Sequence, residues 1–69
     1  MIEFVEVESS NVKAIAKDGD DLLVKFNSGA VYRYTGASKE YQPMLDAESK
    51  GKFFNANVKE KYAFEKETK

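Results

Sequence analysis

The sequence predicts a small α+β domain: an antiparallel meander of three or four strands followed by two short helices packed on one face. Three observations carry that expectation. Apolar and polar residues alternate through the first half of the chain, between turn signals. After Gly36 the apolar spacing lengthens to three and four, the period of a helix. Within the first region the loop Asn27-Ser28-Gly29 dictates how one hairpin pairs.

Taken in order, the opening residues form an acidic strand, with Val5 and Val7 on one face and Glu6 and Glu8 on the other. It is the expected edge of the sheet, its glutamates guarding against indiscriminate pairing. Asn11 to Lys17 is a second strand, ending in the turn Asp18-Gly19-Asp20-Asp21. A hairpin from Leu22 to Tyr34 follows. With Gly29 in the left-handed position, Phe26 faces Ala30, Val24 faces Tyr32 and Leu22 faces Tyr34. A two-residue loop would set Val24 against Arg33 and mix both faces, so the burial pattern selects the first register. The triplet Tyr32-Arg33-Tyr34 resembles a stacking platform for bases, but this register points both rings into the core, their hydroxyls near its rim, and leaves Arg33 alone pointing outward. As an exposed charge, Arg33 is expected to contribute under about 1 kcal/mol.

Tyr41, Met44, Leu45 and Glu48 lie at helical spacing. If Ser38 caps this helix, Pro43 falls just past its first turn and predicts a late or distorted start. Gly51 marks a helix C-terminus, and Phe54, Val58 and Tyr62 form one stripe of a second helix. Residues 65–69 read as a frayed tail. The expected core is Leu22, Val24, Phe26, Tyr32, Tyr34, Leu45, Phe54, Val58 and Tyr62.

A chain of 69 residues makes one domain with a thin core, supplied largely by five Phe and four Tyr. Without Cys or His, disulfides, the common zinc sites and the usual neutral-pH acid/base are all excluded. The acidic start and the lack of a long apolar run point to a cytoplasmic protein with no membrane partner. Net charge is −1, where a dedicated nucleic-acid binder normally shows a basic excess. The charge is uneven, however: Lys50, Lys52, Lys59 and Lys61 stand against Glu60 alone.

Ser9-Ser10, the Leu22-x-Val24-x-Phe26 strand, Gly29, Tyr32-x-Tyr34, Ala47-x-Ser49-x-Gly51, Phe53-Phe54-Asn55, Val58 and Tyr62 together carry a resemblance. In order and spacing, over about residues 9–62, the chain resembles the KTSC domain. That short module occurs at the C-terminus of some lysyl-tRNA synthetases and as stand-alone bacterial or phage proteins. Ala16-Lys17-Asp18 replaces the family's frequent Gly-Tyr-Asp, and Pro43 interrupts the helix. The resemblance implies no catalytic activity and, through the synthetase attachment, suggests RNA binding.

The candidate contact is Ser49-Lys50-Gly51-Lys52, with Asn55 and Lys59 beyond it. Gly51 permits close backbone approach, two lysines flank it, and N–H groups at a helix start attract anions. The competing reading is an ordinary corner between helices, with Gly51 as its cap, the lysines solvated and Asn55 a buried amide. The Asp18 to Asp21 turn lacks the length and closing Glu of a calcium loop. Asp46 and Glu48 diverge on a helix, and Ser9, Ser10 and Ser49 have no His to activate them. No catalytic, cofactor or metal site is therefore expected. The expected function is non-catalytic binding of RNA or another phosphate-bearing partner. The alternative is a protein interaction through the edge strand or the outer sheet face, for example a phage protein acting on a host protein.

Overall fold

A computed structural model describes residues 3–7 and 11–67. Expectations that fall on Glu8, Ser9 and Ser10 lie outside the described residues. The strands are β1 (Val5–Glu6), β2 (Val12–Asp18), β3 (Asp21–Phe26), β4 (Val31–Tyr34) and β5 (Phe64–Glu67). Between β4 and β5 a 3-10 turn, Ser38–Glu40, runs into α1 (Tyr41–Asp46), followed by α2 (Lys50–Asn57). The five strands form one antiparallel sheet in the order β1-β2-β3-β4-β5. The fold is α+β, as the sequence predicts, with one strand more.

That extra strand corrects the reading of the tail as frayed for residues 65–67; Thr68 and Lys69 lie outside the described residues. Phe64 to Glu67 pairs along all of β4, from Tyr34 opposite Phe64 to Val31 opposite Glu67. The segment has one apolar residue and three charged ones, too weak a strand signal on its own. Its partner strand lies about 30 residues back, beyond the reach of a local pattern.

The hairpin register is the expected one: Leu22 faces Tyr34 and Val24 faces Tyr32. The Phe26 N–H donates to the Ala30 carbonyl at 2.8 Å, and the Gly29 N–H closes the loop onto the Phe26 carbonyl at 2.9 Å. Gly29 takes φ +98°, which a residue with a Cβ rarely adopts. A register shift between Val12 and Ala14 puts an irregularity in β2. It matters because Val12 and Ile15, three apart, would face opposite ways on a regular strand. With the extra residue both enter the core.

That core lies between one sheet face and the helices, and joins Val12, Ile15, Leu22, Val24 and Tyr34 to Ala37, Met44, Phe54 and Val58. Phe26, Tyr32, Leu45 and Tyr62 pack against it partly buried. Pro43 is the third residue of α1, where its missing N–H removes no intrahelical bond. The 3-10 turn ahead of it is the distorted start. Ser38 opens that turn rather than capping a helix, and its N–H donates to the Asp20 carbonyl at 2.9 Å. The stripe from Phe54 to Tyr62 is shorter than expected, since α2 ends at Asn57 and Tyr62 lies beyond it.

Candidate functional site

Five rings make a closed circuit on the helix side of the sheet. Tyr34, 4% exposed, meets Phe54 edge-on at 5.3 Å between centroids. Phe54 meets Phe26 at 5.4 Å, and Phe26 meets Tyr32 at 5.6 Å, both near perpendicular. Phe64 closes the circuit against Tyr32 at 5.6 Å and Tyr34 at 5.5 Å. Edge-to-face geometry is what ring quadrupoles favour. The circuit borders a groove of about 560 Å³ between the β3–β4 hairpin, β5 and α2. Small-ligand clefts generally fall between about 300 and 1,000 Å³.

Polar groups stand around these rings. Asn11 and Ser28 approach from the strand side, Asn55 and Lys59 from α2 and the turn after it. Gly51, buried in the first turn of α2, lines the floor beside Phe54. Its place corrects two expectations: Gly51 ends no helix, because α1 stops at Asp46 and α2 starts at Lys50. Asn55 is exposed, not a buried amide.

The residues expected to form an anion corner therefore separate. Gly51, Asn55 and Lys59, four apart in turn, line the groove. Ser49 caps α2, its Oγ accepting from the Lys52 N–H at 3.3 Å. The Lys50 ammonium turns back to donate to the Ala47 carbonyl at 2.8 Å, and Lys52 points into solvent. The cap and Lys50 thus already serve partners within the chain.

The other sheet face differs. Arg33 donates to Glu67 at 2.8 Å, to Asp21 at 2.9 Å and to Asp18 at 2.9 Å. It points away from the core as expected, but its side chain is only 23% exposed. The guanidinium pKa is raised by these bonds, Glu67 foremost. The Gly36 N–H, then Arg33, hold the Asp21 carboxyl below its usual range. On the helix side, burial raises the Tyr34 phenol. Tyr62 donates to the Glu40 carboxylate at 2.9 Å, and that bond raises its phenol.

Sequence reasoning missed Phe64, Asn11, Ser28 and Ala30 as groove residues, and placed Phe26, Tyr32 and Tyr34 in the core, preferring that for the tyrosines to a stacking platform. The available signal was the alternation of Phe64 and Lys66 against Glu65 and Glu67, which gives a strand with one aromatic, basic face. Among the described residues no group of three or more acidic, His or Cys side chains is placed to hold a metal. What the groove offers a ligand is ring faces, amides, hydroxyls and an ammonium.

Architecture and groove together define a small α+β domain with an open aromatic cleft. The KTSC domain family model matches residues 8–62, and the chain belongs to that family. It is similar to an uncharacterized protein of Stutzerimonas stutzeri (strain A1501), 39% identical over 54 residues, which span 74% of this chain and 76% of that one. It is also similar to the crystal structure of a KTSC domain protein from Yersinia pestis, at TM-score 0.90 and 30% identity. That match covers 99% of this chain and 100% of the other. Among the described residues no helix is long and apolar enough to cross a membrane.

Proposed function

We propose that the domain is a non-catalytic binder of RNA and that the aromatic groove receives it. The observation that carries this reading is the joining of a ring-lined cleft to Asn55 and Lys59 on one wall. Bases stack on aromatic faces, amides meet base edges, and an ammonium meets phosphate. Charge is sorted to suit. On β5, Phe64 and Lys66 share the face of Tyr34 and Tyr32, whereas Glu65 and Glu67 share the face of Arg33. Carboxylates of β5 thus point away from an anionic ligand.

The test is a titration of isotope-labelled protein with an RNA hairpin that offers both a paired stem and an open loop. Amide shifts at Ser28, Tyr32, Asn55, Lys59 and Phe64 are expected. A spectrum unchanged at low salt removes the RNA reading. The alternative, a protein partner at a sheet edge, is favoured by the exposure of Phe4 (39%) and Val5 (40%) at β1. Capture from lysate with and without nuclease separates the two, since only a protein partner survives nuclease in stoichiometric amount.

A further inference from the structure

We infer that the groove takes unpaired bases by stacking, so that the ligand is single-stranded and binding depends only weakly on salt. This rests on the RNA reading and narrows it. Rings are the largest group in the wall, five of its eleven residues, and the cations are few. Lys59 lines the groove, and Lys66 stands across the β4–β5 ladder from Tyr32 on the same face. A backbone-tracking surface would need many more positive charges than this chain of net charge −1 places there.

Phe64 is the clearest candidate for a stacking platform. It is 55% exposed, with the rings of Tyr32 and Tyr34 beside it at 5.6 and 5.5 Å. A large apolar ring braced by two neighbours and still more than half exposed has surface on which a base can stack. Tyr32, half-buried next to it, supplies the adjoining surface. A base within a duplex is stacked on its neighbours and has no such face to give, so paired RNA is excluded from the rings.

Salt dependence follows from the count of cations. Each phosphate contact on a single strand contributes about −0.7 to the slope of log affinity against log salt. With Lys59 and Lys66 as the contacts, affinity should fall only about sevenfold between 50 and 200 mM salt. Lys59→Ala should flatten that slope by about one contact.

The experiment compares a short labelled single-stranded RNA with the same strand annealed to its complement, by fluorescence anisotropy over a salt series. The single strand should bind the wild type at least about tenfold more tightly than the duplex. Phe64→Leu keeps an apolar side chain on β5 but removes the ring, and should weaken single-strand binding at least about fivefold. Its circular dichroism should match the wild type, which separates lost stacking from lost folding. Duplex binding equal to single-strand binding, an unaffected Phe64→Leu variant, or a salt dependence several times steeper would each overturn the inference while leaving RNA binding in place. No binding of either form removes the RNA reading itself, and this inference with it.

Discussion

Strand β4 presents two chemistries within four residues. Tyr32 and Tyr34 turn toward the helices and join an aromatic circuit, whereas Arg33 between them turns the other way into three carboxylates. On the aromatic side stability comes mainly from buried apolar area, with the edge-to-face ring contacts adding to it. On the ionic side stability depends on bonds whose geometry and charge must all be kept. The same strand is thus held by a face indifferent to acid and a face sensitive to it. The comparison shows how a thin domain uses both sides of a sheet when one core is small.

The largest effect that would break this comparison is on the aromatic face. Tyr34→Ala empties a site 4% exposed and should cost about 3 kcal/mol or more, read from urea melts. Arg33→Ala should cost less, about 1–2 kcal/mol once solvent screening is allowed for, because it strands three carboxylates beside one another. That exceeds the figure expected from an exposed charge. If Arg33→Ala melts like the wild type, the three bonds are decorative and the two faces are not comparable.

Acid sharpens the contrast. Asp21 has a lowered carboxyl pKa in the folded state, so its contribution is present above the unfolded value and is lost as pH falls through the folded one. Melting temperature should therefore hold from pH 7 to about 5 and decline below about 4. The decline should be shallower in Arg33→Ala, which lacks one of the two groups that depress Asp21. Tyr34→Ala should keep the wild-type slope from a lower start. The smallest effect belongs to Glu67→Gln, a few tenths of a kcal/mol in melts. Its clearer readout is faster hydrogen exchange along β5, which Glu67 ties to Arg33.

These differences also explain what the sequence disclosed. The pairing of Leu22 with Tyr34 and of Val24 with Tyr32 was legible because a short loop and strict alternation decide it locally. The disturbed helix start was legible because Pro43 acts within its own turn. The partners of Arg33 were not, since Asp18, Asp21 and Glu67 lie 15, 12 and 34 residues away. Phe64-Glu65-Lys66-Glu67 alternates weakly as a strand does, but nothing in it names β4 as its partner. The groove was half legible: Gly51, Asn55 and Lys59 were singled out as possible contacts. Of the rings facing them, Phe26, Tyr32, Tyr34 and Phe54 read as core, because alternation says which face a residue takes and not how much of it stays uncovered, while Phe64 had no assigned role.

The placement of β5 also has a kinetic side. Strands β2, β3 and β4 are joined by tight turns and can pair early, while β5 must return across roughly 30 residues that include both helices. Closing that long loop comes late, and its reversal should be the cheapest way to open the molecule short of unfolding it. In such an opening Phe64 leaves the two tyrosines, and one wall of the groove departs as a unit. Native-state hydrogen exchange in low denaturant should find the amides of β5 releasing together, ahead of those in β2 and β3. A ligand stacked on Phe64 would then slow this release, so the wall formed last in folding would gain the most protection from binding.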